Sequence, residues 1–128
     1  MDLLVDTNVF LWTLTDHPRL GSVRAELHDE RNRVYVSVVS VWEIIIKAAR
    51  GKLDVPANAA AWIPAGLDAT RFTPLQVTLQ HALRVEMLPL HHHDPFDRLL
   101  LAQAAVEDLT LVTSDHRLER YNPKAIWC

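Results

Sequence analysis

Short apolar runs alternate with segments of helical periodicity along the chain of 128 residues. Apolar residues recur at helical spacing over 39–50, which Gly51 closes, and Asp94-Pro95 opens a second strong helix that reaches Val106. We predict further helices and strands from the same patterns. The helices cover 9–14, 22–31, 57–67 and 77–88, and the strands cover 3–5, 34–38, 72–75 and 109–113, with a last apolar stretch at 125–128.

The predicted strands are short and apolar throughout, rather than alternating in polarity. This is typical of a parallel sheet whose two faces are both covered by helices. The sequence contains no repeat, low-complexity segment or linker, so we predict one α/β domain over residues 1–128. In such folds, functional sites form beyond the carboxyl ends of the strands, where the chain changes direction.

The composition is that of a folded domain and excludes several classes of protein. Apolar residues make up 49% and charged residues 23% of the chain, which excludes intrinsic disorder. The one cysteine, Cys128, allows neither a disulfide framework nor a cysteine-based zinc site within one chain. The longest strictly apolar run, 59–63, is too short to span a bilayer, and the first residues carry no positive leader. We therefore expect a cytoplasmic protein with no membrane association.

The charge balance disfavours a protein that binds polyanions through bulk charge. Thirteen Lys and Arg stand against sixteen Asp and Glu, which gives a net charge of -3. Proteins that hold nucleic acid by overall charge are basic. The positions of the acidic residues are therefore more informative than their number.

Four acidic residues lie at strand ends or near helix starts, and each has a purely structural explanation. Asp6 and Asp115 directly follow apolar strands and can cap the helical segments after them. Glu43 can pair with Lys47 one helical turn later. Asp97 lies in the first turn of a helix, where the dipole favours an acid.

The four acids together suggest chemistry that none of them suggests alone. If the sheet is parallel, its strand ends bring Asp6, Glu43, Asp97 and Asp115 to one edge. Like charges raise one another's pKa, and a hard divalent cation such as Mg²⁺ or Mn²⁺ removes that penalty. Such ions activate water and neutralise charge on a phosphoryl group. We therefore predict hydrolysis of phosphodiester bonds.

Other polar and aromatic residues have two interpretations each. Asp94 fits the N-cap of its helix, and Arg98 is either a phosphate contact or a surface charge. The adjacent His91, His92 and His93 could bind zinc with Asp94, but a loop at the mouth of the site is the better interpretation. The tryptophans are more often core or interface residues than base-stacking platforms; they are Trp12, Trp42, Trp62 and Trp127.

Four stretches of the sequence, taken in order, resemble PIN-domain proteins. They are Leu-Leu-Val-Asp6-Thr7-Asn8, Ser40-Val-Trp42-Glu43-Ile with Lys47 and Gly51-Lys52-Leu53, His92-His-Asp94-Pro-Phe-Asp97-Arg98-Leu-Leu-Leu-Ala-Gln103-Ala, and Thr113-Ser114-Asp115. The resemblance runs from Asp2 to about Ile126 and is more specifically to the VapC-type toxins of bacterial toxin–antitoxin pairs. The Asp-Pro-Phe-Asp-Arg segment, in order with the others, is its most specific part.

The resemblance implies a three-layer α/β/α sandwich with a short central parallel sheet and an acidic pocket that binds Mg²⁺ or Mn²⁺. Such a pocket cleaves single-stranded or looped RNA. The family's metal-site acids match Asp6, Glu43, Asp97 and Asp115, and Asp94 would be a neighbour of the pocket. Polar positions that orient ligands or water match Thr7, Asn8 and Ser114.

The resemblance also implies partners. VapC-type toxins commonly form homodimers and are inhibited by a small VapB-type antitoxin that often places a basic side chain in the pocket. His93 is a departure, since many relatives have Arg or Lys there, and it would make RNA affinity depend more on pH.

Several alternatives remain open at this point. A PIN-domain nuclease outside a toxin–antitoxin system would carry the same site. A haloacid-dehalogenase-like phosphatase needs a second Asp two residues after the first, where this chain has Asn8. A receiver-like signalling module needs adjacent acids after the first strand and a phosphoacceptor Asp after the third, and the sequence has neither. A non-catalytic binding module would cleave no RNA.

Overall fold

The computed structural model describes residues 1–89, 94–118 and 125–128, and a parallel sheet forms its centre. The strands within these residues are β1 (Asp2–Val5), β2 (Arg33–Ser37), β3 (Thr73–Leu75), β4 (Thr110–Thr113) and β5 (Ile126–Trp127). Their order across the sheet is β3-β2-β1-β4-β5, and each neighbouring pair is parallel. The predicted parallel sheet is confirmed, with β1 at its centre.

Helices connect the strands, as the periodicity predicts. They are α1 (Thr7–Thr15), α2 (Val23–His28), α3 (Val38–Ala49), α4 (Ala59–Thr70), α5 (Leu79–Arg84) and α6 (Pro95–Glu107), with short 3-10 turns at Pro18–Leu20, Val85–Met87 and His116–Leu118. Helix α4 continues through Pro64, which is exposed. Among the described residues, no helix is long and apolar enough to cross a membrane.

Several predicted boundaries differ from the observed ones. The helix predicted over 57–67 is Ala59–Thr70, and the strands predicted over 72–75 and 109–113 each begin one residue later. Three further differences follow local hydrogen bonds. The predicted strand 34–38 ends one residue earlier, since the Ser37 hydroxyl accepts the N–H of Val39 (3.1 Å) and caps α3. The predicted helix 22–31 ends at His28, since the Asp29 carboxylate accepts the N–H of Arg31 (2.9 Å) in a local turn. The predicted helix 77–88 begins only after its cap Thr78 and tightens into a 3-10 turn before Leu88.

The core lies on both faces of the sheet, because successive side chains of each strand point to opposite faces. Leu3 and Val5 of β1 pack with α1, α2 and α4, whereas Leu4 packs with α6. The α6 contribution to the second face is Leu100, Leu101 and Ala104. This arrangement is the predicted three-layer α/β/α sandwich.

The register of the sheet positions the candidate site. Val5 of β1 lies beside Val112 of β4, and the N–H of Asp6 donates to the Val112 carbonyl (3.0 Å). The residues that follow these two strands therefore leave the sheet side by side at its carboxyl edge.

Candidate active site

Asp6 is buried at the end of the central strand, and the chain around it satisfies its carboxylate. Oδ1 accepts the N–H of Val9 (2.8 Å) as the N-cap of α1, and Oδ2 accepts the hydroxyl of Thr113 (2.5 Å). Burial raises the pKa of Asp6, and the charge of Glu43 adds to that rise, although hydrogen bonds from Thr113, Val9 and the backbone of Ser114 oppose it. A bound cation would favour the ionised form of this carboxylate.

Thr113 contacts two of the predicted site acids, and the sequence pattern does not single it out. It is fully buried at the end of β4, donates to Asp6, and accepts the N–H of Asp115 (3.0 Å) through the same hydroxyl. It therefore links two of the predicted site acids. A hydroxyl in the last position of the strand, directly after the apolar pair Leu111 and Val112, is the signal that could have identified it.

Glu43 is buried in the second turn of α3 and has a partner for each carboxylate oxygen. Oε1 accepts the hydroxyl of Thr7 (2.5 Å), and Oε2 forms an ion pair with Lys47 one turn later. The predicted pair of Glu43 with Lys47 is thus present, and Glu43 also contacts α1 through Thr7. Because Thr7 directly follows Asp6, its hydrogen bond to Glu43 brings the two predicted acids close together, and the charge of Glu43 adds to the rise that burial causes in the pKa of Asp6.

Asp94 and Asp97 lie at the start of α6, where Asp94 is the predicted N-cap. Its Oδ1 accepts the N–H groups of Phe96 (2.9 Å) and Asp97 (3.2 Å). Partial burial lowers the pKa of Lys47. The hydrogen bond to Glu43 and the negative charges of Glu43, Asp94 and Asp97 raise it, and together they outweigh the effect of burial. Lys47 is therefore shared between the acid of α3 and the two acids of α6.

Asp115 follows β4 and forms a bidentate ion pair with Arg117. Nη2 and Nε of Arg117 lie 2.7 Å and 2.9 Å from the two carboxylate oxygens. The hydrogen bond and charge of Asp115, with the charges of Asp97 and Asp94, raise the pKa of Arg117. Two cations, Lys47 and Arg117, thus offset part of the negative charge of the five acids at this edge of the sheet.

The donor set fits a hard divalent cation in its chemistry. The groups that meet at this edge are carboxylate and hydroxyl oxygens, which Mg²⁺ and Mn²⁺ prefer. Within the described residues, no three His, Cys, Asp or Glu side chains stand close enough to hold one ion together. Glu43 contacts Thr7 and Lys47, and Asp115 contacts Arg117. An ion bound to either carboxylate would therefore have to displace the side chain of Lys47 or Arg117.

The remaining predicted residues have different surroundings. Ser114 contributes its backbone N–H to Asp6, and Asn8 is exposed in the first turn of α1. The Arg98 guanidinium donates to the carbonyls of Val85 (3.2 Å), Leu88 (3.4 Å) and Pro89 (3.0 Å). Arg98 therefore fastens the preceding turn to α6, a role that neither of its two interpretations included. The interpretation of His91, His92 and His93 falls on residues outside the described ones.

Comparisons with known proteins agree with this fold. The family model described as PIN domain matches residues 3–123. Ribonuclease VapC22 of Mycobacterium tuberculosis is 23% identical over 128 aligned residues, which cover 98% of this chain and 98% of that protein. Ribonuclease VapC16 of the same organism is 36% identical over 70 residues, which cover 51% of this chain and only half of that relative.

Solved structures with the same fold come from several bacteria. The crystal structure of DNA-bound VapBC from Salmonella typhimurium matches with a TM-score of 0.71 and 21% identity, and the match covers 100% of this chain and 97% of that chain. VapBC2 from Rickettsia felis bound to a promoter DNA fragment matches with a TM-score of 0.70 and 18% identity, covering 100% of this chain and 98% of that chain. At these identities the likeness concerns the fold.

Proposed function

The chain belongs to the PIN domain family, and on that premise we propose that it is a metal-dependent endoribonuclease, the toxin of a type II toxin–antitoxin pair. The observation that carries the proposal is the set of hydrogen bonds that joins the acids at the carboxyl edge of the sheet: Thr113 links Asp6 with Asp115, and Thr7, which follows Asp6, contacts Glu43. The names of the two mycobacterial relatives, both ribonucleases, support the activity.

Mg²⁺ or Mn²⁺ would be held by Asp6 and Asp97 directly, with Glu43 and Asp115 holding a second ion or the waters around it. When bound, such an ion supplies the Lewis acidity that activates water and neutralises charge on the phosphoryl group. The chain itself orients the ligands. Thr113 and the Ser114 N–H fix the Asp6 carboxylate, and Thr7 fixes Glu43.

RNA contacts would come from polar groups around this edge. The exposed amide of Asn8 lies in the first turn of α1, two residues after Asp6, where it can donate to a phosphate oxygen. Unpaired RNA is the expected substrate class, because its splayed bases can be contacted by the side chains that surround the site.

Lys47 and Arg117 have a second consequence for ion binding. Lys47 forms an ion pair with Glu43, and Arg117 forms one with Asp115, both proposed ligands. The negative charges of Asp94 and Asp97 also attract both cations. They therefore compete with a divalent cation for the same carboxylates. Arg117 is 71% exposed, so its side chain can move into solvent when the ion binds.

Replacing Arg117 with Gln is therefore expected to tighten binding of Mn²⁺ severalfold, because one competing charge is removed from Asp115. Titration calorimetry of the metal-free protein with Mn²⁺ measures the change. Arg31→Gln is the matched control, since Arg31 forms the same two-residue bidentate pair with Asp29 in the turn that precedes β2. Equal affinities for the wild type and Arg117→Gln would contradict the competition.

The proposed partners are a VapB-type antitoxin and a second copy of the chain. Complexes of VapBC pairs are among the structures that share this fold, which supports an antitoxin partner. Leu79, Leu83 and Met87 are exposed at four-residue spacing along α5 and the turn after it, and such an apolar surface suits a protein partner. We further propose that the protein acts in the cytoplasm.

Incubation of the purified protein with a single-stranded RNA tests the function. Cleavage is expected with Mg²⁺ or Mn²⁺, is expected to stop with a chelator, and is expected to return when the ion is restored. Asp97→Asn should remove most of the activity, whereas Asp68→Asn, which changes an exposed carboxylate of α4, should retain it. Cleavage that persists in the chelator and in Asp97→Asn would refute the proposal.

The alternatives differ in features that can be checked. A PIN-domain nuclease outside a toxin–antitoxin pair would cleave RNA but leave bacterial growth unaffected when expressed without a partner. A receiver-like module is disfavoured, because its doubly wound sheet has the order 2-1-3-4-5 and β3 here is followed by Gln76 rather than an acid. Formation of an aspartyl phosphate with acetyl phosphate would favour that module.

A further inference from the structure

Trp42 differs from the other three tryptophans in its exposure. It is 59% exposed, whereas Trp12, Trp62 and Trp127 are half-buried and pack against the two cores. Trp62 also donates its indole N–H to the Pro56 carbonyl, and Trp127 stacks on a histidine ring. The indole of Trp42 is therefore accessible to a ligand, whereas the other three rings serve core packing.

The surroundings of Trp42 place it at the rim of the proposed active site. It precedes Glu43 in α3, and its ring meets the Phe96 ring edge to face, with centroids 5.5 Å apart and planes at 74°. Phe96 lies between Asp94 and Asp97 in sequence, and the Lys47 ammonium is 6.0 Å from the centre of the Phe96 ring. A fixed aromatic pair thus borders the acids of α3 and α6.

We propose that Trp42 is the platform on which an unpaired nucleobase of the RNA substrate stacks beside the cleavage site. Bases of single-stranded RNA stack on exposed aromatic rings, and any base can do so because each has a π-face. Contact with Phe96 fixes the indole in advance, which reduces the entropy lost when a base binds. This inference rests on the proposed function and names a substrate contact for it.

A base suits this location better than a phosphate does. Asp94, Asp97 and Glu43 give the rim negative charge, which repels phosphate in the absence of an ion, whereas a nucleobase is neutral. Lys47 provides positive charge beside the aromatic pair for the adjoining backbone. Stacking therefore positions the strand without adding to the repulsion.

A protein partner is the competing occupant, because Ile45 is 48% exposed one turn after Trp42 on the same helix. Ile45 cannot stack on a base, so it provides a matched control. If the two residues formed a protein interface, loss of either side chain would have the same effect.

The test measures binding of a short single-stranded RNA in the Asp6→Asn background with Mg²⁺, so that the RNA is not consumed. Trp42→Ala is expected to weaken binding about 5- to 150-fold, the range for the loss of one base stack. Trp42→Phe should retain most of the affinity, and Ile45→Ala all of it. An abasic strand of the same length should bind Trp42→Ala and its parent equally, and RNA should quench tryptophan fluorescence only when Trp42 is present.

The outcomes separate this inference from the proposed function. Unchanged RNA affinity in Trp42→Ala would overturn the stacking platform and leave the nuclease proposal intact. Equal weakening by Ile45→Ala, accompanied by a change of oligomeric state in size-exclusion chromatography, would assign the surface to a protein interface and also overturn it. RNA binding that depends on Trp42 in a chain that never cleaves RNA would support the platform while refuting the nuclease.

Discussion

Replacing Asp6 with Asn is expected to reduce RNA cleavage by more than ~100-fold, since even the loss of an outer partner of a metal ligand costs up to about that factor. The substitution keeps the shape of the side chain and removes its charge. Asn can still accept the Val9 N–H through its oxygen, so the cap of α1 remains. The Thr113 hydroxyl can rotate to accept from the new amide group. The loss of activity would therefore not result from loss of the fold.

The same variant should be more stable than the wild type at neutral pH when no ion is present. The pKa of Asp6 is raised above 3.8 in the folded chain by burial, so the folded state holds this proton more tightly than the unfolded state does. The wild type accordingly loses stability as the pH rises from about 3.8 through the raised pKa, and the Asn variant does not. Thermal unfolding in chelator over this pH range measures the difference.

These two results have a common control and a clear contradiction. Asp68→Asn changes an exposed carboxylate of α4 and should alter neither cleavage nor the free energy of unfolding at neutral pH. An Asp6→Asn protein that cleaves RNA at the wild-type rate would show that Asp6 is not a ligand of the reaction centre. We expect Asp6→Asn to gain stability and lose activity, because the buried charge of Asp6 destabilises the fold but is needed for the reaction.

The order of the elements is predictable from this sequence because long periodic segments leave little choice. Segment 39–50 shows an apolar stripe and ends at a glycine, and Asp94-Pro95 is a strong helix start; both become helices at nearly the predicted residues. The errors fall at boundaries such as Ser37 and Asp29, where one side chain accepts a backbone N–H and changes the local conformation. Whether a side chain or a backbone carbonyl accepts such an N–H depends on the tertiary structure, and the hydrophobic pattern of the sequence does not show it.

The candidate site is predictable in its acids but not in their partners. Strand ends identify Asp6 and Asp115, because the carboxyl edge of a parallel sheet follows from the fold. The pairing of Arg117 with Asp115, and the attachment of Arg98 to the preceding turn, depend on side-chain conformations that have no periodic signature. The 59% exposure of Trp42 is equally invisible in the sequence, since helical periodicity alone does not show which apolar residues of segment 39–50 face the core.

Replacing Thr113 with Val is expected to reduce cleavage about 10- to 100-fold, the effect of losing an outer partner of a metal ligand. Valine keeps the buried shape of the residue but removes the donor to Asp6 and the acceptor for the Asp115 N–H. The hydrogen bond from Thr113 lowers the pKa of Asp6, so its loss lets burial raise that pKa further. Asp6 is then protonated up to a higher pH, and the acidic limb of the pH–rate profile should move to higher pH.

Thr113→Ser is the matched variant, because it restores the hydroxyl while removing only a methyl group. It should recover most of the rate and return the acidic limb to its wild-type position, even if the lost methyl group lowers the melting temperature. A role in packing alone predicts the reverse pattern, in which Thr113→Val cleaves normally and Thr113→Ser is impaired. The position of the acidic limb distinguishes the two, since loss of the Thr113 hydrogen bond raises the pKa of Asp6, whereas loss of a methyl group leaves that hydrogen bond in place.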